Sequence, residues 1–243
     1  MSVTQFAKII VVLVSIFFFS SCITDMFGVS GKGAIITENR TATNFQAIEL
    51  LTSANVEVLS GDTFRVEVSD YENIIQYLTL SVVSNTLVIS NNPTNKIILN
   101  SNAKVLITMP DSLKTLILTG SGNMVLNSTF KDIQTIQVTG SGYVSINKMV
   151  DLTKLNATIL GSGDISAQGK VGTLSAGISG SGNLNLSQLV AQNATCVITG
   201  SGNIYTAVNS TLNATITGSG NVEYSGNPTV STKVTGSGAV IKK

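Results

Sequence analysis

Val197-Ile198-Thr199-Gly200-Ser201-Gly202-Asn203-Ile204 is one copy of a pattern that occurs seven times in a chain of 243 residues. Gly-Ser-Gly begins at Gly120, Gly140, Gly161, Gly180, Gly200, Gly218 and Gly236, at intervals of 18–21 residues. Self-similarity at a period near 20 marks a solenoid, in which each repeat buries its apolar face only against the next. Two places before the first glycine stand Leu118, Val138, Ile159, Ile178, Ile198, Ile216 and Val234. Four places after it stand Met124, Val144, Ile165, Leu184, Ile204, Val222 and Val240. Four places before it the column is small or apolar: Leu116, Ile136, Ala157, Ala176, Cys196, Ala214 and Thr232. These offsets are all even, as a strand of period two requires, and the three-and-four spacing of a helix does not fit them.

The pattern predicts an all-β fold, a right-handed single-stranded parallel β-helix of about 18–21 residues per coil. Both glycines share the inward parity, which suggests that the coil bends there and leaves no room for a Cβ in a narrow inner corner. Residues 113–243 form the repeat solenoid. Residues 34–112 lack the marker but alternate in the same way, as in Phe64-Arg65-Val66-Glu67-Val68. They read as a less regular β region that starts the solenoid and caps its first coil. Within it, Tyr71–Leu78 reads as a short helix or a bulged loop.

Composition agrees with strands and turns. Charged residues make up 11% of the chain, less than half the usual share of about 25%. Glycine occurs 22 times, tryptophan is absent, and the net charge of +1 gives no field that would draw in nucleic acid. Histidine is absent as well, which removes the commonest general base and the commonest metal ligand.

The N-terminus reads as an address. Ile9–Phe19 is a run of eleven residues, apolar but for Ser15, too short for a bilayer-spanning helix of about 20 and suited to a signal-peptide core. Phe19-Ser20-Ser21-Cys22 resembles a bacterial lipobox, with Phe where Leu is usual. The resemblance implies a signal peptide over residues 1–21, acylation of Cys22, and a tether over residues 22–33. More than one acyl chain gives stable anchoring, since each buried CH₂ contributes about 0.8 kcal/mol. The expected location is the bacterial cell envelope, the outer membrane in particular, with the membrane as a partner through the lipid and the leaflet unassigned.

A lipobox, then Ser53-Ala54-Asn55-Val56-Glu57-Val58, then Gly61-Asp62 and serial TGSGN-like copies together resemble the family called putative auto-transporter adhesin, head GIN domain. The resemblance runs from about Asn44 to the C-terminus. It implies a bacterial envelope β-helix and brings no catalytic residues with it.

Catalysis, calcium binding and surface binding are the functional readings to weigh. A polysaccharide lyase or hydrolase needs clustered carboxylates. In residues 114–243 the acids are Asp132, Asp151, Asp164 and Glu223, at unrelated offsets in their repeats. Toxin-type calcium repeats are nine residues long with an Asp each time, whereas here the relevant column is Asn123, Tyr143, Asp164, Asn183, Asn203, Asn221 and Ala239. The sequence therefore predicts no catalytic residue, no metal site and no cofactor. Outward columns instead stack Thr119, Thr139, Thr199, Thr217 and Thr235 beside Ser121, Ser141, Ser201, Ser219 and Ser237, with Asn123, Asn183, Asn203 and Asn221 following. Such a ladder either faces a glycan or other envelope component, or bonds to itself along the solenoid. The corresponding functions are an adhesin and a purely structural envelope protein. Cys196 sits in the small inward column and reads as a buried structural thiol. Asp111-Ser112-Leu113 resembles a short bacterial O-glycosylation sequon at Ser112.

Overall fold

The computed structural model describes residues 28–92 and 97–243, so the apolar leader and Cys22 lie outside the described residues. Five strands come first: β1 (Gly28–Ser30), β2 (Ile35–Arg40), β3 (Ala47–Leu50), β4 (Asn55–Ser60) and β5 (Arg65–Tyr71). A single 3₁₀ turn at Ile75–Tyr77 leads to β6 (Leu78–Val83), β7 (Thr86–Asn91), β8 (Ile97–Leu99) and β9 (Lys104–Met109). The repeat region opens with β10 (Thr115–Leu118), β11 (Asn123–Leu126), β12 (Thr135–Val138) and β13 (Tyr143–Ile146). Longer strands then bend around whole corners: β14 (Val150–Ile159), β15 (Asp164–Gly180), β16 (Asn183–Gly200) and β17 (Asn203–Gly218). Short strands close the chain: β18 (Val222–Ser225), β19 (Thr229–Gly236) and β20 (Val240–Lys242).

These strands build a parallel solenoid of about six turns between the seven Gly-Ser-Gly corners, with an irregular N-terminal region. One side stacks β10, β12, β14, β15, β16, β17 and β19 in parallel. A second side stacks β11, β13, β15, β16, β17, β18 and β20. The expected inward columns are true stacks: Ile178 pairs with Ile198 and Ile198 with Ile216, all buried. Even offsets point these side chains to one face, and each coil covers the apolar surface that its neighbour leaves open.

At the corners the expected reason for glycine needs correction. A Cβ on Gly202 would lie 2.0 Å from the Gly182 carbonyl oxygen and 3.0 Å from Ile178 Cγ2. Gly200 adds a φ of +131°, and its Cβ would lie 2.3 Å from the Gly180 oxygen. The main obstacle is therefore the backbone of the preceding coil along the stack, not the opposite wall of a narrow interior.

The N-terminal region reaches the solenoid out of chain order. β3 lies between β7 and β10, and β4 between β9 and β11, all parallel. Residues 51–55 thereby take the place of a Thr-Gly-Ser-Gly-Asn corner directly beneath residues 119–123, as the contact of the Gly120 and Gly122 positions with Thr52 and Ala54 shows. Antiparallel strands finish this end: β6 on β7, β5 on β9, and β2 outermost on β5. Changing strand direction in this way gives the first coil a partner of its own and covers its open edge. Buried Asp70 fastens the end of β5, its carboxylate accepting from the Tyr71 and Asn102 amides at 2.8 and 2.9 Å and from Ser101 Oγ at 2.7 Å. Gly28–Ser30, expected as part of a tether, pairs as β1 with β8 in a two-stranded sheet. Toward the opposite end β19 is exposed along most of its length, with Val234 at 42%.

Candidate binding surface

Each corner turns the chain from the first side of the solenoid to the second, and its outward side chains come one per coil. Ser179, Thr199, Thr217 and Thr235 pair in register, so successive hydroxyls sit about 4.8 Å apart. Thr119 and Thr139 continue the column toward the N-terminus, and Leu160, 45% exposed, interrupts it. All of these threonines are exposed, as are Ser121, Ser141, Ser201, Ser219 and Ser237. Among the described residues these hydroxyls have no side-chain partner, except that Thr139 Oγ1 accepts from Gln137 Nε2 at 3.2 Å.

The asparagine column behaves differently. Asp164 Oδ1 accepts both the backbone N–H and the side-chain amide of Asn183, at 2.8 and 3.0 Å. Asn183 does the same for Asn203 at 3.3 and 3.2 Å, and Asn203 for Asn221 at 3.0 and 3.4 Å. Asn221 finally accepts from the Ala239 N–H at 3.0 Å. Asn123 donates to Asn55 Oδ1 at 2.8 Å, one coil further on. From Asp164 onward these side chains thus satisfy one another and the backbone N–H that leaves each of the last four corners, and they stabilise the bend. Of the ladder expected from the sequence, the threonine and serine hydroxyls face outward and, Thr139 apart, have no side-chain partner among the described residues, whereas the asparagine column from Asn183 to Asn221 bonds to itself along the stack.

A second feature, on the second side of the solenoid, has no counterpart in the repeat pattern. Where β2, β5, β9, β4, β11 and β13 lie side by side, the outer face is concave and encloses a groove of about 600 Å³. One row of side chains across it reads Thr37, Ser69, Lys104, Asn55, Asn123 and Tyr143; the next reads Glu67, Leu106, Glu57 and Val125. Glu57 is oriented by the amide of Asn127 at 2.8 Å, and Glu67 is paired with Arg65. Tyr143 is 37% exposed and replaces asparagine in the stacked column. Tyr143 stands in a column that is mostly asparagine, and its neighbours across the groove come from strands far apart in sequence.

Chemistry elsewhere is sparse. Burial pushes the Cys196 thiol up to about 12, well away from the thiolate that a nucleophile needs. Among the described residues no three His, Cys, Asp or Glu side chains gather closely enough to hold a metal ion. Ser112 is half-buried in the turn between β9 and β10, where Asp111 Oδ1 accepts the Lys131 N–H at 2.9 Å.

The fold is shared with solved bacterial proteins. A protein described as a putative adhesin from Bacteroides fragilis superposes with a TM-score of 0.80 at 23% identity, covering 89% of this chain and 100% of its own. One described as a putative lipid binding protein from Parabacteroides distasonis gives 0.75 at 26% identity, covering 88% and 99%. A putative adhesin from Parabacteroides merdae gives 0.74 at 23%, covering 89% and 99%. No curated protein matches the chain. A family model spans residues 44–228, from the strand before the first corner to the last coil, and with it the repeat, the corners and the capped first coil have one description: the chain belongs to the family putative auto-transporter adhesin, head GIN domain.

Proposed function

We propose that the protein is a non-enzymatic adhesin of the bacterial cell envelope, anchored in the outer membrane by lipid on Cys22, that holds a glycan or similar envelope polymer along its corner strip. The observation that carries this reading is the in-register column of exposed, unpaired hydroxyls. Seven corners at about 4.8 Å each make a strip roughly 30 Å long. A polymer repeats its own groups and gains from many weak contacts, each contributing about 0.5–1.5 kcal/mol net. Family membership supports an envelope adhesin, and the scattered acids and the inert Cys196 support binding over catalysis. The interior of this solenoid is filled by buried side chains from its stacked coils and leaves no room there for a lipid, the ligand in the description of the Parabacteroides distasonis relative.

A purely structural envelope role draws support from the asparagine column, whose amides are used up along the stack. Glycan-array and whole-cell binding by the full-length protein separates the two. Replacing Thr199, Ser201 and Thr217 together by alanine should weaken binding while leaving thermal stability almost unchanged. A parent that binds no glycan or cell surface, with a triple variant that melts early, assigns the strip to structure. Anchoring is checked by Cys22→Ala, which should move the protein from the detergent phase to the aqueous phase.

A further inference from the structure

We propose that the groove across β2, β5, β9, β4, β11 and β13 is a discrete site for a neutral oligosaccharide and sets the specificity of the adhesin; this rests on the glycan-binding reading above. The groove's volume of about 600 Å³ lies within the range of small-molecule sites, about 300–1,000 Å³. It adjoins the corner strip: Thr119 and Ser121 lead into Asn123, and Thr139 and Ser141 into Tyr143. A polymer lying along the strip therefore passes its mouth.

The lining selects the ligand class by exclusion and by fit. Backbone N–H and C=O groups of the central strands are spent on their neighbours on both sides, so an extended peptide cannot add itself by main-chain bonding. Recognition there falls to side chains. Arg65 neutralises Glu67, which leaves the Glu57 carboxylate against the ammonium of Lys104, so the lining carries little net charge and offers no cluster of basic residues for phosphate or sulfate. Apolar spots at Leu106, Val125 and the Tyr143 ring alternate with the carboxylates and the amides of Asn55 and Asn123. A pyranose ring has the matching surface: a face of C–H groups that packs on an aromatic ring, and a rim of hydroxyls that donate to carboxylates and accept from amides. Glu57 is already held by Asn127, so little rotamer freedom is lost when it accepts a hydroxyl.

The test uses the full-length protein in detergent on an array of neutral oligosaccharides, with sialylated and sulfated ones as anionic controls. Because the chain has no tryptophan, the emission of its five tyrosines is not masked, and the part of a ligand-induced change that is lost in Tyr143→Ala reports stacking at that ring. The expected result is binding to at least one neutral oligosaccharide with a change in tyrosine emission. Tyr143→Ala should then weaken binding at least tenfold and abolish the emission change, and Glu57→Gln, which keeps the Asn127 contact, should weaken it several-fold. Both variants should melt with the parent, since both side chains point outward. Binding that survives Tyr143→Ala but is lost in the Thr199, Ser201 and Thr217 triple variant overturns the groove and leaves the adhesin reading standing. Binding confined to the anionic glycans also overturns the groove assignment. An array silent for every glycan overturns both.

Discussion

Two glycine-to-alanine changes in the same part of the solenoid should have opposite effects. At Gly202 the added methyl would sit 2.0 Å from the Gly182 oxygen, whereas a close carbon–oxygen contact is about 3.3–3.6 Å. The corner must lift by more than about 1 Å, which breaks the bonds from Ser201 N and Gly202 N to the Gly180 oxygen, at 2.9 and 3.2 Å. Two hydrogen bonds at about 1 kcal/mol each, plus about 1–3 kcal/mol of overpacking strain, give a cost of about 3–5 kcal/mol. At Gly177, on the outer face of β15, the new methyl would meet nothing nearer than the Thr158 side chain at 3.8 Å, and φ is not left-handed. Gly177→Ala should then stabilise by about 0.4–1 kcal/mol, through loss of freedom in the unfolded chain. Urea titrations followed by far-ultraviolet circular dichroism give both values from the midpoints. If Gly202→Ala lies within about 1 kcal/mol of the parent, or the two variants shift in the same direction, the axial-clash account of the repeat is wrong.

Two further outcomes follow from buried groups. Thr206 lies in an inward column with its hydroxyl buried and unpartnered among the described residues, so Thr206→Val should raise stability by about 1 kcal/mol in the same titration; a loss of that size would mean that the hydroxyl is satisfied. Cys196 is held neutral by burial, with its folded value near 12 above an ordinary value of 9.0. Its contribution is whole below pH about 9 and is lost as pH rises toward about 12, because the unfolded thiol ionises first, with a slope of at most about 1.4 kcal/mol per pH unit. Cys196→Ala copies Ala176 and Ala214 in the same column and should lose less stability than the parent over that window. Parallel losses in parent and variant would refute the burial argument.

The solenoid was legible because its chemistry is local and periodic. Columns such as Ile178, Ile198 and Ile216 repeat at even offsets, and the sequence spacing is itself the stacking register. The first coils were not legible in the same way. In the corner at residues 51–55, Thr52 and Ala54 stand where the marker has glycine, and its strands pair with β7 and β9, which follow it in the chain, as well as with β10 and β11. Pairing of that kind depends on closing long loops, and no periodicity reports it. The groove was hidden for the same reason, since Thr37, Glu67, Leu106 and Tyr143 meet only once the strands take the order β2, β5, β9, β4, β11, β13. The division of the Thr/Ser/Asn ladder turned on reach. An Asn amide spans the distance to the next coil and a hydroxyl on the exposed corner does not.

On the proposed function, this solenoid holds an extended polymer by repeated contacts and does not alter it. That function is tested most directly by titrating neutral oligosaccharides of increasing length, in a series that binds on the array, into the full-length protein while monitoring the saccharide by mass spectrometry. Affinity should climb with chain length, as contacts along a strip roughly 30 Å long add up, and the saccharide should be recovered intact. Equal affinity for a monosaccharide and a long oligomer, or shortened products after incubation, would contradict the proposed function.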